Sequence, residues 1–178
     1  MDTPDAAPET GGSTPQRTAF HRWLFWGAAV AVVVADQATK TIIRTTMDRG
    51  DIWPSSDWPV RIKYVTNTGA AFGILQDQAA FLIVMAFIGL AAIYVYYRYP
   101  PFEHWVAILA IGLMLGGAVG NLLDRVTQGR VTDFIDFPRF PSFNVADSAI
   151  TVGVAIILAG YFLLEARKKA PAAADADS

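Results

Sequence analysis

Four apolar stretches, at about 23 to 43, 79 to 97, 104 to 124 and 147 to 164, decide what this chain can become. Each is close to the roughly 20 residues a helix needs to cross about 30 Å of hydrocarbon. In lipid a spanning segment must satisfy its own backbone hydrogen bonds, so each is expected to be a helix. The bulk numbers agree: of 178 residues 53% are hydrophobic and 17% charged, with a mean hydropathy of +0.35. That is too apolar for an ordinary soluble domain. The first stretch is too long for a cleaved signal peptide, lacks a small-residue cleavage site and carries Asp36 and Lys40, so it is read as a retained helix.

The expected fold is an all-α membrane protein of four transmembrane helices with a small β element. Residues 1 to 19, rich in Pro, Ala, Gly, Ser and Thr, and 169 to 178, mostly Ala and Asp, have the composition of solvated tails, leaving 20 to 168 as the folded domain. A few residues around Arg98, Pro100 and Pro101 join the second and third segments, whereas 44 to 78 and 125 to 146 are long loops. Four spans put both termini on one side and both long loops on the other. Within the first loop VRIKYVT at 60 to 66 alternates like a half-exposed strand, with Gly69 and Gly73 allowing a turn after it. Trp53 and Trp58 suit a membrane interface. Charge does not fix the orientation. Arg17, Arg22, Arg98, Arg167, Lys168 and Lys169 on the terminal side face Lys40, Arg44, Arg49, Arg61, Lys63, Arg125, Arg130 and Arg139 on the other.

Several chemistries are excluded or disfavoured at once. There is no cysteine and there are only two histidines, His21 and His104, so thiolate nucleophiles, disulfides and zinc sites are not expected, and no metal or cofactor is implied. A net charge of −2 with scattered Lys and Arg leaves no footprint for nucleic acid.

The acids inside or beside the helices then call for explanation, because a carboxylate near hydrocarbon costs a few kcal/mol unless paired, hydrated or protonated. Asp36 and Lys40, four apart, share a helix face; they form either a structural pair with a snorkelling lysine or a contact to substrate. Gly112, Gly116, Gly117 and Gly120 form a small-residue face for close helix packing. Asn121 and Arg125 again share a face, and Asp124 is placed to neutralise Arg125. Asp133 and Asp147 lie in apolar stretches beside helix ends, with no neighbouring cation and a short connection bent at Pro138 and Pro141. If the helix ends converge, the two carboxylates share one proton, the arrangement that aspartic peptide hydrolysis uses. The alternative is surface capping, with Asp147 at the start of the fourth helix. Asp136, three residues after Asp133, points elsewhere and is the spare candidate.

ADQATK at 35 to 40, NTGAAFG at 67 to 73, GGAVGNLLDR at 116 to 125, VTDFIDF at 131 to 137 and FNVADSAIT at 143 to 151 together resemble the motifs of lipoprotein signal peptidase, the bacterial signal peptidase II family of membrane aspartyl peptidases. Five motifs in order make the resemblance specific. It implies a catalytic pair of Asp133 and Asp147, with Asn67, Gly69, Asn121, Arg125 and Asn144 lining the site or holding substrate backbone. Asp36, Lys40 and Asp124 become supporting residues, Asp124 being a rival for the catalytic role. It also implies cytoplasmic termini, an active site at the outer face of the plasma membrane, and a diacylglyceryl-modified prolipoprotein as substrate, cut before the lipidated cysteine; the enzyme is expected to be a monomer. Two other classes fit the hydrophobic plan, a small transporter and a non-enzymatic membrane scaffold. No repeat or matched pair of broken helices supports the transporter, and a scaffold gives Asp133 and Asp147 no purpose.

Overall fold

The computed structural model describes residues 19–54, 57–69, 78–99 and 104–169. The two proposed tails, apart from Ala19 and Lys169, which are helical, lie outside the described residues, as do Gly73 with most of the NTGAAFG motif and the Pro100–Pro101 connection. Four helices are long and apolar enough to span a bilayer: α1 (Ala19–Thr46), α2 (Ala79–Arg98), α3 (Trp105–Gln128) and α4 (Val145–Lys169). Their outward faces carry bare apolar side chains, among them Trp23, Val34, Phe87 and Phe162, as lipid-facing helices must.

Polar and small residues decide which faces turn inward. α3 lies at the centre, packed against α1, α2 and α4. Its glycines set the spacing: a methyl group at Gly116 would stand 2.6 Å from the Ala29 carbonyl oxygen, and one at Gly120 2.6 Å from Asp36 Oδ2. Both contacts are far inside van der Waals range, so the small-residue face is a packing face. Toward the end where the chain enters and leaves, Phe25, Ile93, Ile108 and Ile111 form an apolar cluster, and the Tyr97 ring stacks on Phe25 with centroids 4.1 Å apart.

At the opposite end sits one antiparallel sheet in the order β1 (Ile52–Trp53), β2 (Arg61–Asn67), β3 (Val131–Phe137) and β4 (Phe140–Phe143). The strand expected at 60 to 66 is β2. The second long loop, for which no particular structure is expected from sequence, folds into the β3–β4 hairpin, with Phe137 opposite Phe140 and Arg139 in the left-handed region at φ 69°. Ile43 at the end of α1, Tyr64 of β2 and Phe134 of β3 pack together and fasten the sheet to the bundle. Helix α3 runs to Gln128, four residues past its apolar stretch, and so places Asp124 and Arg125 on a helix beneath the sheet.

Candidate active site

The polar residues of the five motifs meet where the sheet caps the bundle. β3 brings Asp133 down from the sheet, where it pairs with Val65 of β2, and the first turn of α4 brings Asp147. Asn144 lies between them, fully buried. Its side-chain Nδ2 donates to Asp133 Oδ1 at 2.7 Å, and its main-chain N–H donates to Asp147 Oδ2 at 3.3 Å. Its Oδ1 accepts the Asp147 N–H at 2.9 Å. Asn144 and Asp147 thus cap α4 reciprocally, so the capping role expected of Asp147 is real and coexists with a carboxylate held against a second one.

Both carboxylates face a cavity of about 820 Å³, walled by β2, β4 and α4 and including Asn67, Asn121 and Arg125. A second cavity of about 640 Å³ between α2, α3 and α4 is almost wholly apolar, and it shares Asn121, Arg125 and Ile150 with the first. Asn67 donates to Asp133 Oδ2 at 3.2 Å and accepts the Gly69 N–H at 2.9 Å. Arg125 donates to the Gly69 carbonyl at 3.3 Å, so its guanidinium stands at the junction of the two cavities. Burial, and next the negative charge of Asp147, push the Asp133 carboxyl up to about 7 against hydrogen bonds from Asn144 and Asn67 that favour its charge. It is therefore poised to hold or release a proton near neutrality.

A second group of acids is sealed behind the first. Lys40 has no exposed surface and reaches Asp36 Oδ2 at 2.8 Å, Asp124 Oδ2 at 3.4 Å and Asn121 Oδ1 at 2.9 Å. It does not snorkel. Asp36 also accepts the Ala146 N–H at 3.0 Å, tying α1 to the start of α4. The expected pairing of Asp124 with Arg125 is not what forms. The Asp124 carboxylate accepts from the Thr132 N–H at 3.0 Å and pairs with Arg44 at 3.3 Å, because α3 turns it inward toward α1 while Arg125 turns toward the cavity. Asp124 lines neither of the two cavities described. Asp136 points to the other face of β3. There Arg61 Nε donates to it at 2.7 Å and Ser142 Oγ at 2.8 Å, and these bonds hold its carboxyl below the usual range although burial opposes them.

Sequence reasoning passed over Arg44, Gln37 and Thr132. Arg44 follows Lys40 by four residues on the Asp36 face, a spacing that could have revealed it. Gln37 Nε2 lies 3.1 Å from Asp36 Oδ2 and 3.2 Å from Asp124 Oδ1, and its signal is only its place beside Asp36. Thr132 acts through its backbone, which carries no signal in side-chain identity. Among the described residues no cluster of His, Asp and Glu has the form of a metal site.

Fold and cavity define the class: a membrane-embedded enzyme with acid-base groups at one end of a four-helix bundle. Comparison with known proteins narrows it. A model of the family described as signal peptidase (SPase) II matches residues 28–163. The lipoprotein signal peptidase of Symbiobacterium thermophilum is 41% identical over 144 residues, covering 77% of this chain and 93% of the relative. That of Geobacter sulfurreducens is 41% identical over 155 residues, covering 83% and 96%. A bacterial membrane enzyme solved by the in meso method at 2.3 Å superimposes with a TM-score of 0.77 at 37% identity, over 82% of this chain and 92% of that one. The chain belongs to the signal peptidase II family.

Proposed function

We propose that this protein is an aspartic endopeptidase of the bacterial plasma membrane, which removes the signal peptide from diacylglyceryl-modified prolipoproteins by cutting before the lipidated cysteine. The observation that carries the reading is the pair Asp133 and Asp147, bridged by Asn144 and open to one cavity. Two carboxylates so close cannot both stay ionised in a partly dehydrated site. Asp133 keeps the shared proton and polarises the scissile carbonyl. Asp147 takes a proton from water as the oxygen attacks, then returns it to the amine as the carbon–nitrogen bond breaks.

The two cavities suit such a substrate. A signal helix and acyl chains arrive sideways through the bilayer, and the apolar cavity between α2, α3 and α4 opens on that route. Asn67, Asn121, Asn144 and Arg125 line or brace the polar cavity and are suited to hold an extended peptide, because a helix hides its carbonyls in its own hydrogen bonds. The termini lie in the cytoplasm and the sheet at the outer surface, where Trp53 and Trp58, 64% and 58% exposed, meet the headgroups. The enzyme works as a monomer, and its partners are lipidated precursor and membrane lipid.

The experiment is incubation of purified protein in detergent with one precursor, with and without its diacylglyceryl group. Cleavage of only the lipidated form, lost in Asp133→Asn and in Asp147→Asn with the fold intact, is the expected result. Full activity in either variant refutes the dyad.

A further inference from the structure

Asp133 and Asp147 are each held by two amide donors, so hydrogen-bond number alone does not say which keeps the proton. Asp133 has Asn144 Nδ2 at 2.7 Å and Asn67 Nδ2 at 3.2 Å; Asp147 has Asn121 Nδ2 at 2.7 Å and the Asn144 N–H at 3.3 Å. The difference is what stands behind those amides. Behind Asn67, among the described residues, is the Gly69 N–H. Behind Asn121 is the buried ammonium of Lys40, 2.9 Å from Oδ1.

An ammonium can only donate, so it fixes the direction of the Asn121 carboxamide. Oδ1 must face Lys40, and it also takes a hydrogen bond from Asn144 Nδ2 at 3.2 Å. The amide nitrogen is thereby turned onto Asp147 Oδ1, where it can only donate to a lone pair. Asp147 also sits in the first turn of α4, where the helix dipole favours negative charge. The Lys40 contact with Asp36 lies within α1, and the contact with Asp124 already pairs α1 to α3. That pairing gives no reason for the third contact, with Asn121.

We infer that Lys40 is a positioning residue of the dyad: through the Asn121 carboxamide its ammonium holds Asp147 as the ionised member and leaves the shared proton on Asp133. The inference rests on the peptidase reading above. The charged groups around the pair are Asp36 and Lys40 from α1 and Asp124 and Arg125 from α3, with Arg44 beyond Asp124. Lys40 and Arg44 offset Asp36 and Asp124, so deleting Lys40 alone would strand a buried acid.

The test therefore uses Lys40→Met with Asp36→Asn, which removes one charge of each sign, keeps an acceptor for the Ala146 N–H and leaves Asp124 paired with Arg44. Cleavage of a lipidated precursor is measured against pH, with folding followed by gel filtration and melting. Loss of the positioned amide should lower kcat at least about tenfold with little change in KM, since proton transfer suffers and substrate contacts do not. Loss of the Lys40 charge, which favours the ionised form of Asp133, should move the pH profile upward, with part of the shift offset by the loss of Asp36. Asp124→Asn keeps Lys40 on Asn121 and removes a negative charge, so its profile should not move upward; an upward shift there would assign the effect to cluster packing. If the double variant does not fold, Asn121→Leu cuts the link and leaves the ion cluster whole, and it must show the fall in kcat. Wild-type kcat and profile in the folded double variant, or wild-type kcat in Asn121→Leu, overturns the inference. Because both Asp→Asn variants are run beside them, failure of this relay is distinguishable from failure of the dyad itself.

Discussion

Two sets of acids, buried except for the half-buried Asp147, lie at the same end of this bundle, and they are partnered in opposite ways. Asp36 and Asp124 are matched with cations, Lys40 and Arg44, and line neither of the two cavities. Asp133 and Asp147 are matched with amides of Asn67, Asn121 and Asn144 and face one. A cation beside a carboxylate locks it in the charged form, whereas a neutral amide satisfies its lone pairs and leaves its proton free to come and go. The first set is suited to holding helices together, the second to chemistry.

The largest way to break that contrast is to remove a titratable oxygen. Asp133→Asn or Asp147→Asn should lower cleavage by about a thousandfold or more while the protein still elutes and melts as folded. Wild-type turnover in either would erase the distinction between the two sets. Next comes the bridge: Asn144→Ala deprives Asp133 of its 2.7 Å donor and α4 of its side-chain cap, while the main-chain N–H on Asp147 remains. A loss of about a hundredfold in kcat together with about 1–3 kcal/mol of stability is expected, read from initial rates and denaturation.

The pH response sharpens the contrast further. Cleavage should fall about tenfold per unit above the Asp133 value of about 7, as the shared proton is lost. The effect on stability has a definite sign. The folded protein holds the Asp133 proton between the ordinary value of 3.8 and about 7, where the unfolded chain has released it. Stability therefore declines as pH rises through that window, and Asp133→Asn should flatten the decline in melting measurements. The smallest effect belongs to Asp136, an acid of the same strand with a cation partner. Asp136→Asn should cost about 1 kcal/mol and leave cleavage within a few-fold of wild type; a collapse of activity would place a third acid in the chemistry.

How much of this was legible beforehand follows from what each residue depends on. The four spans are written in local composition, and the strand at β2 in its alternation. The meeting of Asp133 and Asp147 is suggested by their place beside helix ends, but their common cavity depends on the β3–β4 hairpin. That hairpin hides in a run of Phe, Pro and Asp whose period is broken by a register shift between Ile135 and Phe137. The pairing of Asp124 with Arg44 rather than adjacent Arg125 illustrates the same limit. Neighbours in sequence on a helix point about 100° apart, and only the packing of α3 on α1 decides which of them turns inward.

Asp36, on α1, receives the Ala146 N–H at the start of α4. Half of this polar cluster is therefore a socket that is filled only when α4 packs against α1.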